Sequence, residues 1–219
     1  TQAAIGICAQ IWFFLLLITI ALSAGTTAMV SRYWGAGDRD NAVEAARHSL
    51  AFAVAFGMIT IVLGLTLARP ILRLLGTTAA VEAIAWDYIQ IDIFSQLPFT
   101  VVWIAHAIMR ASGDTVSPMI NWVIMTVLIV SLDLFFCLGP PGLGVKGIAL
   151  AWLISACVGI WLSLSKLSAS RLAPALSRKR WQKRGFSRDW LKRFLAIGLP
   201  ACVSDLTWSL GCFALFFIF

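Results

Sequence analysis

The chain has 219 residues, 60% of them hydrophobic and only 12% charged, with a formal net charge of +7. A soluble domain carries about 25% charged residues, so the composition excludes one and describes a membrane protein. Its five cysteines form no CxxC pair or loop cluster, which excludes a disulfide framework or zinc site and leaves them as small core residues.

A helix that crosses hydrocarbon needs about 20 mostly apolar residues. Six stretches qualify: 11–30, 49–68, 88–109, 118–138, 147–165 and 194–219. None alternates with a period of two, so the prediction is an all-α integral membrane protein of about six transmembrane helices and not a barrel. Placing the loop after the first span on one side of the membrane gathers fourteen Lys and Arg residues there, against Arg69, Arg73 and Lys146 opposite. The positive-inside rule makes the crowded side cytoplasmic. The basic run at 166–193 then follows from topology and contact with anionic headgroups, with Trp181, Phe186 and Trp190 favouring an interfacial stretch, and needs no nucleic acid.

The first span ends in "SRYWGAGDRDNA", residues 31–42, and the third in "MRASGDT", residues 109–115. Each turn has an arginine at the helix end (Arg32, Arg110), a glycine for a left-handed backbone (Gly35, Gly113) and an aspartate to cap the next helix (Asp38, Asp114). "GAGD" also matches the GxGD pattern of intramembrane aspartyl proteases. The charges that follow Asp38, among them Glu44, Arg47 and His48, place it at the surface and argue against that chemistry. No HExxH, GxSxG or phosphate-binding loop is present, so neither an enzyme with catalytic residues nor a metal site is expected.

In the third span Asp92, Gln96, Thr100, Trp103, His106 and Arg110 recur at steps of three or four. Ile93, Leu97, Val101, Ile104 and Ile108 make the opposite face, which predicts one side toward lipid and the other toward water or substrate. Pro98 removes a backbone donor and frees a carbonyl in mid-span. Gln96 reads as a hydrogen-bonding group of a cavity and Trp103 as a stacking platform or a packing residue. Asp92 lies about two turns from the span's end, where solvation accounts for it as well as function does. His106 reads as an interfacial or helix-terminal residue.

"GTTAMVSRYWGAGDRDNA", "AHAIMRASGDTVSPM", "SLDLFFCLGPPGLGVKGIALAWLIS" and "IGLPACVSD" together resemble multidrug and toxic compound extrusion (MATE) transporters in order and spacing. The resemblance covers nearly the whole chain and implies a fragment holding about the second to seventh of that family's twelve helices. Residues 1–165 are then part of the first lobe, 166–193 the cytoplasmic inter-lobe segment, and 194–219 the first helix of the second lobe. It further implies antiport of organic cations or other amphipathic xenobiotic compounds against H+ or Na+, with no cofactor, in the plasma (inner) membrane. Asp133 matches the aspartate of the family's N-x-x-x-D pattern, but Ile129 stands where the asparagine would be, leaving Thr126 or Ser131 to supply an oxygen for a cation. Asp205 resembles the acid that follows "LP" in the second lobe; as a mid-membrane carboxylate it would bind the coupling ion or a cationic substrate, and a protonated structural aspartate is the other reading. A flippase for lipid-linked sugars is the alternative within the superfamily, though it would line its cavity with cations. A non-transporting scaffold or receptor is the alternative outside it.

Overall fold

The computed structural model describes residues 2–74, 79–138 and 142–176, together with 190, 192–194, 196, 200, 203 and 207. The described residues hold five long helices: α1 (Gln2–Gly35), α2 (Arg39–Leu74), α3 (Ala79–Ala111), α4 (Val116–Leu138) and α5 (Val145–Ser168). Hydrocarbon cannot hydrogen-bond a backbone, so apolar runs of this length satisfy their own N–H and C=O groups as helices. α2, α3, α4 and α5 each hold an apolar window long enough to cross a membrane. Of the predicted sixth span, Phe194, Ala196, Pro200, Val203 and Thr207 are described and helical, and Asp205 lies outside the described residues.

The turns after α1 and α3 are built alike. In the first, the N–H of Asp38 donates to the carbonyl of Tyr33 at 3.0 Å and that of Gly37 to Trp34 at 3.2 Å. In the second, Asp114 donates to Met109 at 3.0 Å and Gly113 to Arg110 at 3.1 Å. Both are Schellman closures, with the glycine at positive φ (75° at Gly37, 96° at Gly113). The glycine that bears the left-handed conformation is thus Gly37, not Gly35, which is still helical. The reason is adjacency: the aspartate both closes one helix and caps the next, so the glycine directly before it must make the turn. Asp38 accepts from the N–H of Asn41 at 3.2 Å, and Asp114 from that of Ser117 at 3.0 Å. Hydrogen bonds from the Asn41 side chain and N–H hold the Asp38 carboxyl below its ordinary range, and bonds from Ser117 do the same for Asp114, with Lys166 adding to the effect. Arg32 is exposed beside the first turn, and Arg39 lies 3.6 Å over the Trp34 ring.

α3 is the central helix, packed against α1, α2 and α5, while α4 leans chiefly on α5. This corrects the two-faced reading of the third span. Its apolar face does not meet lipid: Ile93, Val101, Ile104 and Ile108 are all buried. They are buried because α2 offers glycines there. A Cβ on Gly57 would stand 2.8 Å from the Cα of Leu97, and one on Gly64 would stand 2.8 Å from Ile93 Cδ1. Small residues let two helices approach until side chain meets backbone. Exposed apolar residues lie instead on α2, among them Met58, Ile59, Val62 and Leu63, and on a stripe of α4 that includes Met119, Ile120, Val123, Val127 and Val130.

The charges after the first turn also need correction. Glu44, Arg47 and His48 are buried, each 3% exposed. Arg47 pairs with Glu44 at 2.9 Å and contacts His48 at 3.0 Å, and the Trp190 ring stacks on His48 at 5.3 Å. Pairing and an aromatic cover let these groups leave water. Leu172, Ala175 and Phe194 join the same core, so the ends of the basic segment fold back onto α2, while Trp181 and Phe186 lie outside the described residues. Among the cysteines, Cys137 is half-buried and Cys157 exposed, so the latter is not a core residue.

Candidate functional site

The polar side of α3 turns toward α4 and α5 and forms a column along the helix. From Asp92 to His106 it is fourteen residues, about 21 Å at 1.5 Å per residue. At one end Ser95 donates to the Asp92 carbonyl at 2.6 Å and lies 3.3 Å from its carboxylate, with the Gln96 side chain reaching the same carboxylate. Gln96 is 6% exposed and Thr100 1%, so both are enclosed by protein. In the middle, Phe99 and Trp103 of α3 meet Trp122 of α4 and Trp152 of α5: Trp103 to Trp122 is 5.5 Å edge-on, and Phe99 to Trp152 is 6.1 Å. Such rings present quadrupole faces that suit organic cations as well as one another.

At the turn end, a hydrogen-bonded cluster ties three helices. Asn121 Nδ2 lies 2.9 Å from His106 Nε2, 2.7 Å from Ser163 Oγ and 3.1 Å from the Gly159 carbonyl. The carbonyl can only accept, which fixes the amide's NH2 toward it. The amide's two hydrogens serve three neighbours, and Ser163 Oγ, itself 3.2 Å from His106 Nε2, closes the cluster. His106 Nδ1, Asn121 Oδ1 and Ser155 Oγ are sealed without a hydrogen-bond partner.

The match to the MatE family model covers residues 2–135. The chain belongs to the MatE family. Among curated proteins it is 26% identical to a probable multidrug resistance protein NorM of Thermotoga maritima over 96% of this chain and 45% of that protein. It is 27% identical to a probable multidrug resistance protein YoeA of Bacillus subtilis over 95% of this chain and 46% of that one. Among solved structures, an inward-facing multidrug resistance MATE family transporter of the MOP superfamily matches with a TM-score of 0.80 at 26% identity, covering 95% of this chain and 47% of that chain. A MATE in complex with MaD3S matches with a TM-score of 0.83 at 26% identity, covering 97% and 47%. The chain thus spans about half the length of the MATE proteins it matches.

The predicted residues of this MATE chain fall into separate groups. Asp92 and Gln96 are brought together, and Trp103 joins the aromatic cluster. His106 is not interfacial: it is 1% exposed, because Asn121 and Ser163 offer hydrogen bonds that replace water. Asp133 is half-buried on α4 with its Oδ1 unpartnered, and Thr126, two turns earlier, is exposed. Ser131 donates to the Val127 carbonyl at 2.7 Å, inside its own helix. Arg110 is exposed at the end of α3. Sequence reasoning passed over Asn121, Ser163, Trp122 and Trp152. The signal for Asn121 was an amide within an otherwise apolar span, where a polar side chain must find a partner on a neighbouring helix.

Proposed function

We propose that this chain is part of a secondary active antiporter that exports organic cations or other amphipathic compounds in exchange for H+ or Na+. The observation that carries the reading is the column along α3, in which the buried Gln96 and Phe99 stand with the half-buried Asp92, Trp103, Trp122 and Trp152, within helices long and apolar enough to cross a membrane. A carboxylate in a membrane helix costs about 2.5 to 3.5 kcal/mol on insertion scales, a cost retained where the group serves a pathway. An acidic group and aromatic rings along one helix face can neutralise a delocalised cation and stack on it. Membership in a family whose relatives carry multidrug resistance names supports the same reading. The drug-export reading is favoured over a sugar-lipid flippase because Arg47, buried in α2, is already paired with Glu44. The turn end of the bundle is assigned to the cytoplasm, with the basic segment 166–193, in the plasma (inner) membrane.

The test uses the full-length protein in vesicles, with an imposed proton or sodium gradient and a fluorescent organic cation. Gradient-driven export is expected from the wild type. It is expected to be lost in Asp205→Asn and weakened or altered in range in Gln96→Leu, with Asp189→Asn unaffected. Absence of export under both gradients, or wild-type export from Asp205→Asn at equal expression, would refute the assignment.

A further inference from the structure

The turn end of α1 and α2 holds charged groups that the column does not use. Glu44, Arg47 and His48 lie within about one turn of α2, each 3% exposed. Arg47 Nε donates to Glu44 at 3.0 Å, and a terminal nitrogen of Arg47 lies 3.0 Å from His48 Nε2. A guanidinium can only donate, so Nε2 accepts here and the imidazole of this arrangement is neutral.

The cover over these groups comes from the end of the basic segment. Trp190 stacks on His48 with ring centroids 5.3 Å apart and planes at 20°, and meets Tyr33 of α1 at 5.9 Å. Four residues on, Phe194 is 2% exposed and sits between the two helices. Its ring lies 5.1 Å from that of Phe52 on α2, and a Cβ on Gly25 of α1 would stand 3.2 Å from its carbonyl oxygen. Trp190, by contrast, is only half-buried. Phe194 therefore fills a groove against backbone, whereas Trp190 rests on charged groups that water would also solvate once it lifted.

The charges around His48 decide what a proton would do. On its own helix stand Glu44, already paired with Arg47, and the exposed Asp40. α3 packs into this core with Val101, Ile104, Ala105 and Ile108, all apolar, and its His106 is engaged by Asn121 and Ser163. The short helix Ala173–Leu176 carries no charge, and Arg171 before it is exposed. Lys192 and Arg193 are exposed too, with Arg193 3.5 Å from the Tyr33 hydroxyl. A proton on Nε2 would set a donor against the Arg47 donor and a second cation 3.0 Å from the first. An imidazolium is also drawn to the Trp190 face. That attraction is outweighed, because the paired Glu44 balances one sealed cation and not two, and lifting Trp190 admits water to the other.

We propose that residues 190–194 form a pH-sensitive strap, in which Phe194 is the fixed end between α1 and α2 and Trp190 lifts from His48 when that side chain takes up a proton. The lifted state solvates His48 and binds the proton more readily than the closed one. The strap is thus closed above the ordinary histidine range, about pH 6.5, and loosens as pH falls through and below it. It rests on these contacts and not on the efflux reading, so absence of export would leave it standing.

The test is hydroxyl-radical footprinting of the full-length protein in lipid nanodiscs at about pH 7.5 and about pH 5.5, normalised to an added peptide standard and read by mass spectrometry. In the wild type, oxidation of Trp190 is expected to rise about two- to threefold at the lower pH while Phe194 stays protected, the modest factor reflecting a ring that is already half-exposed. His48→Gln keeps an acceptor opposite Arg47 but takes up no proton, and is expected to hold Trp190 oxidation constant between the two pH values. Wild-type Trp190 oxidation that is unchanged or falls at the lower pH, an equal rise in His48→Gln, or a rise at Phe194 matching that at Trp190 would overturn the strap.

Discussion

The approach of α2 to α3 gives a sharp prediction, because what faces Gly57 is backbone. A Cβ placed there would meet Leu97 Cδ1 at 2.7 Å, Leu97 Cα at 2.8 Å and Leu97 Cβ at 3.2 Å. The Cδ1 can turn away, but a Cα cannot move without its helix. Gly159 supplies the contrast: there the added atom meets Met125 Sδ, and Cε at 2.9 Å, the far end of a flexible side chain that can change rotamer. Alanine in a helix gains about 1 kcal/mol over glycine, and overpacking a rigid contact costs about 1–3 kcal/mol. Gly57→Ala is therefore expected to lose up to about 2 kcal/mol net and to unfold at a lower temperature than Gly159→Ala, which is expected to stay near the wild type. Tryptophan fluorescence during heating of the full-length protein in detergent reads both. The added double variant Gly57→Ala with Leu97→Ala removes the Cδ1 contact and leaves the Cα one, so it is expected not to recover. Full recovery, or a larger loss at Gly159 than at Gly57, would show that side-chain crowding and not backbone contact sets the α2–α3 distance.

Two further outcomes follow from the turns and the three-helix cluster. Gly37→Val is expected to lower folded yield, since a branched residue at φ 75° costs about 1–2 kcal/mol, whereas Gly35→Val is expected to express normally because nothing lies within 4 Å of its Cβ position; size-exclusion profiles of the two check this. Asn121→Leu removes the shared donor of His106, Ser163 and Gly159 and is expected to cost about 1–3 kcal/mol in thermal unfolding, with an Asn121→Leu protein as stable as the wild type contradicting the cluster's role.

The spans were legible because the bilayer imposes one demand, length without charge, and the chain meets it in the right places. The ends were not: α3 begins at Ala79, nine residues before the predicted start, because a helix continues past the hydrocarbon for as long as its own hydrogen bonds and neighbours hold it. Sidedness within a span failed at Leu97 and Ile104 for a physical reason. In water an apolar stripe marks the buried face, but in lipid both the buried face and the outer face are apolar, so periodicity alone does not say which is which. Glu44, Arg47 and His48 misled in the opposite direction, since charge marks a surface only when no partner is at hand. The Asp92–Gln96 pairing was readable from an i, i+4 spacing. The Asn121–His106 and Asn121–Ser163 contacts join residues 15 and 42 apart, and no local pattern contains them.

The two sides of α3 are held in different ways, and this bears on where such a bundle can yield. On the α2 side, Gly57 and Gly64 seat Leu97 and Ile93 against a neighbouring backbone, so parting the helices would open a void along the whole seam. On the α4 side the direct packing is sparse, and the link runs through Asn121 to His106 and through Trp122 to Phe99 and Trp103. Side chains can exchange those partners for water or for a ligand, whereas a filled groove has nothing to exchange. The α4 side is also where the Phe99, Trp103 and Trp122 rings meet. The aromatic part of the polar column thus lies along a seam held by exchangeable side-chain contacts, whereas the apolar face of α3 is seated against α2, where Gly57 faces the backbone of Leu97.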